Sequence, residues 1–462
     1  MSKTWQIEHL YRPDGWLSPG YLSVDDEGMV SNVGGVRPDG PIECLAGFGV
    51  PGMPNLHSHA FQRALAGRCE TVSGILEEDN LWTWREAMYA LTRRLTPEAY
   101  EAIGAFIYLE LVKAGFTSVA EFHYVHHQKD GVRFDQPAEM GLRLMKAANN
   151  VGIGITILPV LYTYGGIGKP ANNDQKRFAH EDLDEFTTLF ENLKENASPR
   201  DRAGLALHSL RAVAGDDVAQ ISTALRKTDP ALRIHIHASE TVHEVEECMA
   251  GLGARPVQWL LDNVGLNDAW TIIHATHLDT REWRELAESG AVAGLCPMTE
   301  ATVGDGFFPL VEYQSAQGRW GIGTDSHYVA NPAMELRMLE CGKRLQLSKR
   351  NLLADPTSRL TAHSGRRLFD LALAGGAQAV GQNQGAFTPG TRADIVMLDK
   401  SSSALLTHDV ETVFDAWILG GSDNPVRDVL IAGEWVVRDG HHPLEEQIAQ
   451  SYAGEMRKLF VD

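Results

Sequence analysis

Leu232-Arg233-Ile234-His235-Ile236-His237 and, further on, Trp270-Thr271-Ile272-Ile273-His274 decide how this chain is read. Each is a short apolar run that ends on histidine and leads into a stretch of helical period. The unit recurs along the sequence. Upstream stand Gly47-Phe48-Gly49-Val50 running into Pro54-Asn55-Leu56-His57, then Thr117-Ser118-Val119-Ala120-Glu121-Phe122, Gly154-Ile155-Thr156-Ile157-Leu158-Pro159-Val160-Leu161 and Gly204-Leu205-Ala206-Leu207-His208. Downstream are Ala291-Val292-Ala293-Gly294-Leu295-Cys296 and Trp320-Gly321-Ile322-Gly323-Thr324-Asp325. That makes eight, and residues 51–375 shared among them leave about 41 each, room for a strand, a helix and two loops. Strands alternating with helices form parallel βαβ units, and eight of them predict an α/β fold of the (β/α)8 barrel kind. Ala102–Val112 carries apolar residues at i, i+3, i+4 and i+7, and Asp216–Leu225 and Glu244–Leu252 read the same way.

The two ends differ from the middle. Residues 1–46 are punctuated by Gly and Pro, with alternating stretches such as Gly20-Tyr21-Leu22-Ser23-Val24. From residue 385 onward come Ala393–Leu398 and Val429–Val437, the latter a hairpin with Gly433 at its turn. The expectation is one small β-sandwich domain built from both ends, as residues 1–50 and 381–462, with a C-terminal helix, beside a barrel of residues 51–380. Gln378 to Gly390 reads as the linker.

Composition narrows the class. With 41 Lys plus Arg against 61 Asp plus Glu the 462-residue chain has a formal net charge of −20, and no basic run offers a surface to nucleic acid or an anionic membrane. At 44% hydrophobic and 22% charged, it has the makeup of a globular chain with an ample core. The start, Met1-Ser2-Lys3-Thr4-Trp5, lacks a signal peptide's apolar stretch, and no run approaches the roughly 18 apolar residues of a membrane span. Cys44, Cys69, Cys248, Cys296 and Cys341 are odd in number and show no CxxC spacing. These features read as a cytoplasmic protein.

The chemistry lies at the strand ends, which in such a barrel converge on one face. His57-Ser58-His59 ends the first strand, and period-2 alternation puts both imidazoles on one side. His237, His274 and Asp325 end the fifth, sixth and eighth strands. An HxH or a lone Thr-Asp-Ser is by itself more often structural. Together, at barrel spacing, they form an N/O donor set suited to one Zn²⁺ and tolerant of Fe²⁺ or Mn²⁺. Gln62, Arg85, Tyr124, His208 and Arg211 are groups fit for an anion, and an Arg fork binds a carboxylate through two parallel hydrogen bonds. His123, His126 and His127 read as outer or surface groups beside a strand end. Cys296 reads as a buried apolar thiol.

Pro51-Gly52-Met53-Pro54-Asn55-Leu56-His57-Ser58-His59, His237 with Glu240, His274, Thr324-Asp325-Ser326 and the late Gly385–Val396 stretch resemble the amidohydrolase superfamily, on its mononuclear deaminase side. The resemblance covers nearly the whole chain. It implies His57, His59, His237 and Asp325 as ligands of one ion. The fourth strand end, Leu207-His208-Ser209-Leu210-Arg211, offers no Lys or Glu to bridge a second. A divalent ion lowers the pKa of bound water to about 7. Glu240 is placed to protonate a departing nitrogen, Asp325 to take a proton from water, and His274, rather than His277, to steady the developing charge. A closer resemblance, in Leu56–Arg63, Leu81–Arg85, Glu121–His127 and His208–Val213, is to the formimidoylglutamate deiminase family of histidine degradation. It implies conversion of N-formimino-L-glutamate and water to N-formyl-L-glutamate and ammonia. Gln62, Arg85, Tyr124, His208 and Arg211 would then grip a small dianionic substrate, in a homodimer whose interface is not legible here. The rivals are a guanine- or cytosine-type deaminase, disfavoured by two arginines and no stacking aromatic at the strand ends, an imidazolonepropionase-like hydrolase, and a metal-free barrel scaffold.

Overall fold

The computed structural model describes residues 3–72, 79–198 and 200–461; Met1 and Ser2, where the amino-terminal stretch read above begins, lie outside them. The chain opens in a sheet with β1 (Lys3–Arg12), β2 (Gly15–Leu17), β3 (Gly20–Val24), β4 (Val30–Gly34) and β5 (Glu43–Pro51). It then enters β6 (Met53–Ser58), α1 (Leu81–Thr92), α2 (Pro97–Ala114), β7 (Phe116–His123), α3 (Glu139–Val151) and β8 (Gly154–Leu161). A small hairpin of β9 (Tyr164–Gly166) and β10 (Lys169–Pro170) precedes α4 (Leu183–Glu195), β11 (Arg202–Ala203), β12 (Leu205–Leu207) and α5 (Gly215–Thr228). Next come β13 (Ile234–Ala238), α6 (Val242–Leu252), α7 (Pro256–Val264), β14 (Trp270–His274), α8 (Thr280–Ser289) and β15 (Val292–Leu295). The barrel finishes with α9 (Pro297–Val303), α10 (Leu310–Ser315), β16 (Arg319–Ile322), α11 (Pro332–Leu347) and α12 (Ser364–Val380). The chain returns to the first sheet as β17 (Ile395–Leu398), β18 (Val426–Ile431) and β19 (Glu434–Val437), and closes with the helix Glu445–Phe460.

Eight parallel strands run in the order β6-β7-β8-β12-β13-β14-β15-β16, with β11 paired to β8. A single parallel bridge, Ser58 to Asp325, brings the last strand back to the first. Every residue of β7, β8, β13 and β14 is buried, as expected of strands covered on both faces, polar residues such as Glu121 and His235 included. The helices carry their own punctuation. Before α2, the Thr96 side chain accepts the Ala99 N–H and Pro97 occupies the first turn; Gly115 ends the helix in the left-handed region at φ 101°.

The two ends meet in one mixed sheet, β19-β18-β17-β5-β1-β3-β4, in which β1 and β5 are parallel and β17 is antiparallel to β5 and β18. The β18–β19 turn places Ala432 and Gly433 at φ 49° and 75°, the geometry a two-residue hairpin requires. Two expectations need correction. Gly47–Val50 belongs to β5 of this end sheet, and the first barrel strand begins only at Met53. The run Phe48–Ser58 is buried without interruption, so no polar residue marks the passage from one sheet to the other at Pro51-Gly52. The linker starts later than Gln378, because α12 continues to Val380.

Candidate metal centre and active site

The centre begins with the alternation of β6. Ser58 faces away from its neighbours, its hydroxyl bonded to the buried Glu121 carboxylate and to His327 Nε2 at 2.8 Å. His57 and His59 therefore share the other face, ring centroids 4.6 Å apart. His59 Nδ1 donates to the Phe122 carbonyl at 2.8 Å and His237 Nδ1 to the His208 carbonyl at 2.9 Å. Those acceptors fix the tautomer, so each Nε2 presents a bare lone pair to the interior. His57 Nε2 lies 3.1 Å from His237 Nε2 and 3.5 Å from Asp325 Oδ1, which is itself 3.4 Å from His59 Nε2. Burial first, and the neighbouring imidazoles with it, hold His57 and His237 well below the usual histidine range; burial also lowers His59.

Neutral imidazoles are ligands, and these fit a cation. The His59 nitrogen and the Asp325 oxygen are both acceptors facing each other, an arrangement that is repulsive unless a positive charge lies between them. A tetrahedral ion bonded at 2.0–2.1 Å sets its donors about 3.3 Å apart, close to the spacing observed. The donor atoms of His57, His59 and His237 all lie within 4.8 Å of one another, as do those of His57, His274 and Asp325.

His274 closes β14 with φ 67°, and Asp325 follows β16 with φ 45°. Left-handed backbone at two non-glycine strand ends stores strain where side chains must be aimed. His274 Nδ1 meets Glu300 Oε1 at 3.3 Å, while Nε2 stands 3.6 Å from Glu240 Oε1 and 3.9 Å from Asp325 Oδ2. Burial opposes its charge, but Glu240, Glu300 and Asp325 outweigh it and hold the imidazole well above its ordinary pKa. His277 turns elsewhere and donates to the Asp305 carbonyl at 2.8 Å.

These groups open onto one cavity, which His59, His237, Glu240, His274 and Asp325 line. Gln62, Arg85, Tyr124, His208 and Arg211 line it too, so all five anion-binding candidates reach the same space. Gln62 is locked between the Tyr124 hydroxyl, to which it donates at 2.7 Å, and Ser326, from which it accepts at 2.6 Å. Arg211 is 8% exposed, and its Nε has no hydrogen-bond partner. The nearest carboxylates stand off at 3.6 Å (Glu244) and 3.9 Å (Glu240).

Of the two readings of His123, His126 and His127, outer or surface groups, burial at 1%, 1% and 5% exposure beside His180 removes the second. They lie in and after β7, and a loop offers no periodicity from which burial could be read. The site also has aromatic walls: Trp84, Tyr89, Tyr162 and Phe178 line the cavity. Trp84 and Tyr89 come from α1 and Phe178 from a loop, where no strand end announces them; Tyr162 directly follows β8, so one aromatic does stand at a strand end. Ser326 carried a signal in adjoining Asp325; Trp84 stood inside a quoted motif without a role.

Comparisons with known proteins agree with this geometry. The model of the Amidohydrolase family matches residues 48–436. A curated relative named formimidoylglutamate deiminase, from Pseudomonas aeruginosa, is 44% identical over 460 residues, covering 98% of each chain. The crystal structure of an amidohydrolase from Brucella melitensis superposes with a TM-score of 0.92 at 36% identity, over 99% of this chain and 100% of that one. An adenosine deaminase from Xanthomonas campestris, solved with bound zinc, shares the fold at 20% identity with a TM-score of 0.80, over 99% and 98% of the two chains. With the barrel, the strand-end imidazoles and a match across most of its length, this chain belongs to the amidohydrolase family.

Proposed function

We propose that the chain is a metal-dependent deiminase that hydrolyses N-formimino-L-glutamate to N-formyl-L-glutamate and ammonia. The observation that carries this reading is the cavity's polarity. Neutral imidazoles converge in the cavity, near a buried guanidinium, that of Arg211, whose Nε lacks a hydrogen-bond partner. A buried donor without an acceptor is costly even beside the Glu240 and Glu244 carboxylates, and a substrate carboxylate would satisfy it. The 44% identity to a relative of that name supports the same substrate.

His57, His59, His237 and Asp325 would hold one divalent ion, Zn²⁺ by donor type, with Fe²⁺ or Mn²⁺ tolerated. Such an ion supplies Lewis acidity that makes water reactive at neutral pH. Asp325 takes the proton that water gives up. Glu240, 3.6 Å from His274 Nε2, delivers a proton to the departing nitrogen. His274, with Glu300 3.3 Å from its Nδ1, donates from Nε2 to the oxygen on which charge develops. Gln62, Tyr124, His208, Arg85 and Arg211 hold the two substrate carboxylates. We carry the division into 1–50, 51–380 and 381–462, the homodimer and the cytoplasmic location as parts of the same reading.

The aromatic walls favour one second reading, deamination of a neutral heterocycle stacked between rings. Incubation of the metal-loaded enzyme with N-formimino-L-glutamate, following ammonia and the organic product together, separates the two. Ammonia with N-formylglutamate is the expected result. Formamide with glutamate would place the broken bond elsewhere and remove Glu240 from its role. No turnover here, with turnover of guanine or cytosine, would transfer the site to the second reading.

A further inference from the structure

Trp82, in the first turn of α1, has neighbours unlike those of a core residue. Two positions on, Trp84 packs against the hydrophobic core and donates its indole N–H to the Tyr328 hydroxyl at 2.8 Å. The Trp82 ring instead has the Arg85 guanidinium 4.7 Å from its centroid and the Arg211 guanidinium at 5.3 Å. The His243 imidazole meets it edge to face at 4.9 Å from α6. One ring thus faces two cations that come from different elements, α1 and the loop after β12. Like charges separate unless something holds them, and the electron-rich face of an indole attracts both. A carboxylate stands beyond Arg211, where Glu244 Oε1 lies 3.6 Å from Nε, but at that separation it steers the fork without saturating it. Arg85 is tethered by its Nη2 donating to the Tyr89 hydroxyl at 2.6 Å. Each fork is oriented and Arg211 keeps a free donor.

We propose that Trp82 is a specificity-determining positioning residue: its indole holds Arg85 and Arg211 together as one clamp for a dicarboxylate. The clamp selects two carboxylates over one because the shared ring sets the spacing of two forks that Tyr89 and Glu244 orient only singly. Trp82 touches no reacting atom, so its removal acts on substrate affinity more than on the chemical step. This rests on the dicarboxylate substrate proposed above, and it can be separated from that reading because binding is measurable without turnover.

The test compares glutarate, which has two carboxylates and no nitrogen, with butyrate, which has one, by calorimetry on the metal-loaded enzyme. Trp82→Leu keeps apolar bulk and removes the ring face; Trp82→Phe keeps a ring. Trp82→Leu is expected to weaken glutarate about 10-fold while changing butyrate less than about threefold, and to raise KM by a similar factor with a smaller change in kcat. Trp82→Phe should recover most of the glutarate affinity. Equal weakening of both acids, an unchanged glutarate affinity, or a fall in thermal stability with the same glutarate-to-butyrate ratio would overturn the clamp. Trp82-dependent glutarate binding in an enzyme that releases no ammonia from N-formimino-L-glutamate would uphold the clamp and remove the reaction.

Discussion

The buried histidines differ in what their second ring nitrogen meets. At the centre, His59 and His237 spend one nitrogen on a backbone carbonyl and leave the other free to ligate. The cluster behind β7 has no such convergence. His123 Nδ1 meets the Tyr100 hydroxyl at 3.0 Å and His126 Nε2 donates to the Val160 carbonyl at 2.9 Å, while His123 Nε2, His126 Nδ1 and both His180 nitrogens have no hydrogen-bond partner. Burial, with neighbouring imidazoles adding to it, pushes His123 down to about 3 and His126 and His180 well below the histidine range; burial and then the Arg133 charge push His127 down to about 4. A folded-state pKa below the unfolded value means that the unfolded chain binds more protons. Stability from these groups is therefore complete above about pH 6.5 and is lost as pH falls toward 4. His180→Phe, which keeps the ring beside Phe186, should lessen that loss by up to about 1.4 kcal/mol per pH unit. Urea midpoints at pH 7.5 and pH 5 measure it, and equal pH dependence in the variant and the parent would remove His180 from the acid response. None of this was legible from His123-Tyr124-Val125-His126-His127, because spacing in a loop does not say which imidazoles turn inward.

Elements were more legible than loops, for a physical reason. A strand buried on both sides is rich in apolar residues, so β7, β8, β12, β13, β14, β15 and β16 stand at the segments read from sequence. The same rule misleads where two buried strands follow each other, as β5 and β6 do across Pro51-Gly52. The cavity's aromatic wall was illegible because α1 reaches it through an excursion whose length carries no register. Helix α12 was legible neither at its end, which runs past Gln378 to Val380, nor in its packing. It lies against β16 so closely that a Cβ at Gly375 would overlap the Trp320 carbonyl, and one at Gly376 would stand 3.1 Å from the Pro54 carbonyl oxygen. Backbone cannot yield as a flexible side chain does. Gly375→Ala should therefore cost about 3 kcal/mol or more, despite the helix propensity gained. A thermal or urea midpoint equal to the parent's would show that α12 can move off the barrel without cost.

At the scale of the whole molecule the barrel closes on itself at a weak seam, thinner even than the two-residue pairing of β8 with β12. Strands β13 and β14 pair through five consecutive residues and β15 and β16 through four, whereas β6 and β16 meet through the Ser58–Asp325 bridge. A few further backbone bonds help: the His59 N–H reaches the Asp325 carbonyl at 3.0 Å, and the Asp325 N–H the His57 carbonyl at 3.0 Å. The residues that would hold the ion come from this seam and from the opposite wall: His57 and His59 at the end of β6, Asp325 after β16, His237 in β13. An ion bound there ties the first strand to the last and both to the fifth. Because it binds the folded ligand set and not the separated one, its binding free energy adds to folding stability. At free Zn²⁺ about 100-fold above Kd, the metal-free protein should gain about 2.7 kcal/mol. Hydrogen exchange should slow at β6 and β16 more than at β8. His237→Ala removes one donor from the wall facing the seam and should abolish most of both effects while leaving the β6–β16 backbone bonds in place. A Zn²⁺-induced shift of equal size in His237→Ala, or protection that rises uniformly around the barrel, would mean that the ion stabilises this protein from somewhere other than the seam.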